Sequence, residues 1–201
     1  MKRTVSVVGS ASVSVAPDCA RLNCGVQVTG VNAQDVLRRS NSAMQSIIDA
    51  LGRHGVEPID LRTHGPNLYP TDSGYGGSND VTVVIRQIDK VGDVIDAVAE
   101  AGGPNLTMHG LTFEVSDPST HLPSVRAAAI DAARVVAGEL ASAAGAAVGA
   151  VVAISDSSGS QGPVQVARGA MATSKATPVE PGGQQIRVDI SVTYRLVDAE
   201  R

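Results

Sequence analysis

The alternation of apolar and polar positions opens the chain with a strand. From Thr4 to Val15, Val5, Val7, Ala11, Val13 and Val15 alternate with Ser6, Ser10, Ser12 and Ser14, the period-two pattern of a half-buried strand. Ala16-Pro17-Asp18 breaks it with a turn. A second strand follows near 20–30 with Leu22, Val26 and Val28 on one face, and the pair reads as a hairpin. The period then changes. Asn32 suits an N-cap, and Asp35 stands at N3, where negative charge favours the helix dipole. Val36, Leu37, Met44, Ile47, Ile48 and Leu51 recur at helical spacing up to a terminal Gly55.

Residues 58–69 read as a strand ending at Tyr69-Pro70, 71–77 as a turn rich in Gly and Asp, and 79–87 as the next strand. A helix after Asp89 carries Val91, Val94, Ile95 and Val98 and stops at Gly102-Gly103-Pro104, before a strand over 106–115. Asp117-Pro118 has the form of an N-cap with proline at N1. Because a proline inside a helix removes a hydrogen bond, Pro123 predicts a short turn at 118–121 and a long helix only from about 123 to 144. Val125, Ala129, Val136 and Leu140 mark its expected buried stripe. Strands at 148–154 and 187–197 close the chain.

These elements predict a single α+β domain over 1–201: a mainly antiparallel, mixed sheet with about three helices packed on one face. Residues 156–184 stand out as Ser-, Gly-, Pro- and Gln-rich, a long protruding or flexible loop. Connections of that length are usually functional or disordered. Its apolar island makes Pro163, Val164, Val166, Arg168 and Met171 the candidate interaction loop, able to add a strand to a neighbour's sheet edge; the competing reading is a solvated loop.

Composition narrows the function. Of 201 residues 43% are apolar but only 2% aromatic, so the core is aliphatic and the stacking platforms of single-strand nucleic-acid binders are missing. Net charge is -4 with no basic block, which argues against duplex binding. Lys2, Lys90 and Lys175 are the only lysines, and the Ala, Gly, Val and Arg excess reads as codon bias of a GC-rich genome. No stretch approaches the ~20 apolar residues of a membrane span. Met1-Lys2-Arg3 is followed by strand alternation instead of an apolar signal segment, so a soluble, cytoplasmic chain is expected. Cys19 and Cys24, five apart on one strand, point to opposite faces. They are expected to be free thiols, partly buried, as in a reducing compartment.

Reactive groups are sparse. His54 ends a helix, where a cation suits the dipole. His64 with Asp60 has the composition of an acid–base pair but no evident nucleophile. Asp117 and His121 stand four apart at a proline-disrupted helix start, where capping by Asp117 competes with metal binding. Cys24 is weighed as a redox sensor against an inert buried thiol. Gly74-Tyr75-Gly76-Gly77 reads as a hairpin loop, since no helix follows it. No catalytic, cofactor-binding or metal residue is assigned.

Several short motifs, taken in order, resemble the SIMPL-domain family. They are Val7-x-Gly9 leading to Val13-x-Val15-Ala16-Pro17-Asp18; Leu61-x-Thr63 with Leu68-Tyr69-Pro70; and Gly74-Tyr75 with Ser78-Asn79-x-Val81-x-Val83. Further along come Ile88-Asp89-Lys90-Val91-Gly92 with Ile95-Asp96-Ala97, Ala144-Gly145 with Gly149-x-Val151, and Thr177-Pro178-Val179-Glu180-Pro181-Gly182. The resemblance implies an α+β domain able to build ring- or channel-like homo-oligomers, loosely associated with the bacterial envelope and oxidative-stress defence, with no established catalytic residues or cofactor. The chain departs from the family in its missing signal segment, the short loop at 71–77 and Pro123. The expected function is therefore a non-enzymatic self-assembling scaffold or partner-binding module. The alternatives are a small-molecule-binding or enzymatic domain using His64, Asp60 or Cys24, and a monomeric adaptor.

Overall fold

The computed structural model describes residues 3–156, 164–166, 177 and 179–199. Its elements are β1 (Thr4–Val15), β2 (Cys19–Gly30), α1 (Ala33–Arg53), β3 (Leu61–Thr71), β4 (Gly74–Ile85), α2 (Val91–Gly102), β5 (Leu106–Glu114), α3 (Leu122–Ala143), β6 (Ala146–Asp156), β7 (Val164–Val166) and β8 (Gly183–Asp198). The class is α+β with antiparallel pairing. The one mixed sheet expected is replaced by two sheets, ordered β1-β8-β6 with β7 also on β8, and β3-β4-β2-β5. Two compact units follow from this. One comprises Met1–Ala16, Asp117–Ala167 and Gly183–Arg201, the other Pro17–Ser116 and Arg168–Gly182.

In the first unit β8 is central and pairs along all of β1, from Thr4↔Arg195 to Val15↔Gln184. The core gathers Val7, Val188, Ile190, Val192 and Tyr194 beneath α3. The buried stripe of α3 is Val125, Ala129, Ala133, Ala137 and Ala141. Val136 and Leu140, expected in that stripe, are exposed. The reason lies in Gly9: a methyl added there would overlap the Ala129 carbonyl and the Ala133 nitrogen. Helix and strand backbones meet so closely that only alanine-sized side chains fit between them. Pro123 falls in the first turn of α3, where its missing N–H has no intrahelical partner to lose.

In the second unit α1 and α2 supply Met44, Ile47, Leu51, Val91, Val94 and Val98 to a core completed by Leu22, Val26, Val81 and Val83. Asn32 caps α1 as expected, its side-chain oxygen accepting from Gln34 N–H at 2.8 Å and Asp35 N–H at 3.2 Å. Gly55 follows the helix end with φ +82°, a conformation glycine adopts without strain.

Two further corrections concern pairing. β1 and β2 form no hairpin: β1 pairs with β8, while β2 pairs with β4 and β5. The intervening turn is tied to the end of β5. The Asp18 carboxylate accepts from the Ser116 N–H and hydroxyl, both at 2.7 Å, and Asp18 N–H donates to the Glu114 carbonyl at 3.1 Å. Gly74-Tyr75-Gly76-Gly77 is not a loop but the start of β4, with Tyr69 opposite Gly76. An added Cβ on Gly76 would overlap the Tyr69 ring, so the aromatic occupies the space the glycine leaves.

Candidate functional site

The expected acid–base pair does not assemble. Asp60, 7% exposed, is taken by Arg86 in a bidentate pair at 2.8 and 2.6 Å. This bond is the chief reason the Arg86 guanidinium is pushed further up. His64 lies instead 2.9 Å from the Thr82 hydroxyl, which donates to Asn23 Oδ1 at 2.8 Å. Cys24 is fully buried in the second unit's core, and burial pushes its thiol up to about 11. Cys19 is also buried, its pKa raised to about 11 by burial and then by the Asp18 charge. The two thiols do sit on opposite faces of β2. Both are poor sources of thiolate, which removes the basis for a Cys24 redox sensor. On opposite faces of one strand they cannot pair with each other in any compartment, so their free state carries no information about it.

His54 caps the C-terminal end of α1, the place expected. It lines a cavity of about 490 Å³ between α1 and α2, shared with Ser46, Asp49, Arg53, Ala97 and Glu100. Asp117 caps the short turn after it by accepting from Ser119 N–H at 2.9 Å, and His121 precedes α3. Among the described residues, no group of three or more His, Cys, Asp or Glu is placed to hold a metal ion.

The polar face of the second sheet holds what the sequence reading overlooked. Two β-bulges flank its centre, one in β3 between Thr63 and Pro66 and one where β5 meets β2 at Asn23/Cys24. Bulges re-aim side chains. The first carries His64 towards Thr82. The second presents His109, whose Nε2 lies 2.9 Å from Asp80 Oδ1. Asp80 in turn needs Gly25, where a Cβ would overlap its carboxylate. Beside them Arg21 grips Glu114 through bonds of 2.8–3.1 Å. Each of these groups has a hydrogen-bond partner on a neighbouring strand, in three separate sets across the face. No local spacing in the sequence could have shown it, because His109 and Asp80 are 29 residues apart and meet only through strand register.

In the first unit the feature that stands open is backbone. Among the described residues β1 pairs with β8 alone, and its other edge has no partner strand. Of the candidate interaction loop, Val164 and Val166 lie in β7, which pairs with this chain's own β8 through Val164↔Gln185 and Val166↔Gly183. Pro163, Arg168 and Met171 lie outside the described residues. The end of that long segment is anchored, since Thr177 N–H and hydroxyl donate to Asp96 of α2 at 3.3 and 2.5 Å and Val179 packs on the second core.

The fold and these sites define an α+β protein of two antiparallel units, in which Asp60, Asp80 and Glu114 are each engaged by a basic side chain of a neighbouring element. The SIMPL family profile, described as a protein of unknown function (DUF541), matches residues 5–194. The chain belongs to the SIMPL family. It is 30% identical over 213 residues to the 26 kDa periplasmic immunogenic protein of Brucella melitensis, covering 96% of this chain and 84% of that protein. It is 28% identical over 142 residues to the uncharacterized protein YggE of Escherichia coli K12, covering 66% of this chain and 57% of that one. The Brucella name places that relative in the periplasm, which runs against the cytoplasmic expectation. No helix among the described residues is long and apolar enough to cross a membrane.

Proposed function

We propose that the chain is a non-enzymatic self-assembly module of the cell envelope. One observation carries the reading: β1, an edge strand of twelve residues, contains no charged residue and no proline, and its ladder with β8 has no bulge. Proteins that remain monomeric blunt such edges with charge, proline, bulges or a covering segment. The second unit does so: β3 carries Arg62, Pro66, Pro70 and a bulge, and β5 pairs with β2 through another. An undefended edge beside defended ones supports reading this one as a surface for pairing.

The envelope assignment draws on the name of the Brucella relative. It is tested by fractionating cells against periplasmic and cytoplasmic marker enzymes; recovery with the cytoplasmic marker alone refutes it. Assembly is tested by light scattering on the purified chain at micromolar concentration. A mass at least twice 20.4 kDa is expected, and a clean monomer sinks the reading.

A further inference from the structure

We infer that the partner of the free β1 edge is β1 of a second copy, paired antiparallel about a two-fold axis at Val8. The inference rests on the self-assembly reading and specifies its geometry. The phase of the ladder is set by one bond, Leu196 N–H to the Arg3 carbonyl at 2.9 Å. In an antiparallel pair, residues that exchange both bonds with the partner alternate with residues whose N–H and C=O point away. With Arg3 bonded to β8, the odd positions from Val5 to Val15 bond inward. Thr4, Ser6, Val8, Ser10, Ser12 and Ser14 then turn N–H and C=O outward. The same six residues are exposed on the open face, while Val5, Val7, Ala11 and Val13 face α3.

The occupant follows from what the edge offers. Recognition of a foreign strand takes main-chain bonds for affinity and side-chain pockets or charges for selection. β1 presents a single large apolar group, Val8 at 61% exposed, and no charge of its own, among hydroxyls of which Ser6, Ser10 and Ser12 are already bonded to Thr193, Asp189 and Gln185 of β8. It has nothing to select a foreign sequence and nothing to repel its own copy. Antiparallel pairing about a two-fold is self-complementary for any strand, and closes as a dimer.

Register follows from Val8. Centring the axis there sets Val8 against Val8 of the second copy, Ser6 against Ser10 and Thr4 against Ser12. The apolar side chains meet and hydroxyls face hydroxyls. An axis at Ser6 or Ser10 would leave Val8 opposite Thr4 or Ser12. The product is one continuous sheet through both copies. β6, the other edge of the same sheet, is less suited, since two register shifts interrupt it and its terminal Asp156 is held by Arg126 at 2.8 Å.

Val8→Pro and Val8→Cys test this. The Val8 N–H faces away from β8, so proline there removes an edge donor without breaking the internal ladder. Val8→Pro is expected to keep the wild-type far-ultraviolet circular dichroism and to lower the solution mass at least twofold. Val8→Cys under mild oxidation is expected to give a covalent dimer on non-reducing gels, because paired Cα atoms about 5.5 Å apart lie within disulfide reach. The buried Cys19 and Cys24 do not compete. If the wild type is an oligomer, yet Val8→Pro keeps its mass and Val8→Cys stays uncrosslinked, the β1 geometry is wrong and the assembly reading stands. A monomeric wild type removes both. Should Val8→Pro fail to fold, the crosslink of Val8→Cys decides alone.

Discussion

In the first unit α3 rests on β1 through Ala129 and Ala133 with Gly9 beneath, so backbone lies against backbone. In the second, α1 and α2 stand off their sheet and fill the gap with Met44, Ile47, Leu51, Val94 and Val98. The same architecture, helices on an antiparallel sheet, is thus held in two ways. Where α3 crosses Gly9, the first relies on small side chains and leaves no room for an addition. The other relies on side-chain volume and tolerates no loss. The edges differ in parallel: the second sheet guards its edges with charges, prolines and bulges, while among the described residues one edge of β1 has no partner strand.

A matched pair of substitutions breaks this comparison most directly. Leu22 is 0% exposed in the second core. Leu22→Ala is expected to destabilise by about 4 kcal/mol through lost transfer energy and the cavity left behind. Gly9→Ala adds a single methyl and is expected to cost about 3 kcal/mol, because the atoms it meets are helix backbone that cannot rotate aside. Chemical denaturation of both variants is the measurement. A neutral Gly9→Ala would show that α3 can lift from β1, and the contrast drawn above would fail.

The smallest effect belongs to Asp18, at the turn leading into the second unit. Its carboxyl is held below its usual 3.8, chiefly by the Ser116 hydroxyl. A depressed folded-state value means the stabilisation is fully present above the unfolded value. It is lost as pH falls through the folded value, below 3.8. Asp18 is exposed, so solvent screening keeps the contribution under about 1 kcal/mol. Asp18→Asn is therefore expected to lie slightly below wild type at neutral pH and to converge with it in acid. A gap that persists at pH 2 would assign the effect to geometry and not to charge.

Much of the fold is legible locally. Alternation marks β1 and β8, the Asn32 cap starts α1, and Pro123 places the start of α3, because each depends on a few neighbouring residues. Where the reading went astray, long-range contact was the cause. Val136 and Leu140 are larger and more apolar than Ala133 and Ala137, so hydrophobicity favours them for the buried stripe. The closeness of Gly9 reverses that choice. Gly74-Tyr75-Gly76-Gly77 has the composition of a loop, yet Tyr69 across the ladder makes it a strand. The site shows the same division. Asp60 and His64 invite pairing by proximity, whereas Arg86 and Thr82 claim them through register. His109 with Asp80 carried no local signal at all.

By itself the sequence determined most strands and all three helices, though not the start of β4 or β7, together with the aliphatic character of both cores and the family to which the chain belongs. Those follow from side-chain period and from motifs read in order, which are properties of short stretches. Only the tertiary structure decided that β1 pairs with β8 and not β2, that the described strands form two sheets, and that one edge of β1 has no partner strand among the described residues. Strand partnership rests on backbone hydrogen bonds, which are the same for every residue except proline. Alternation therefore states that a strand has a buried face but cannot name the strand beside it.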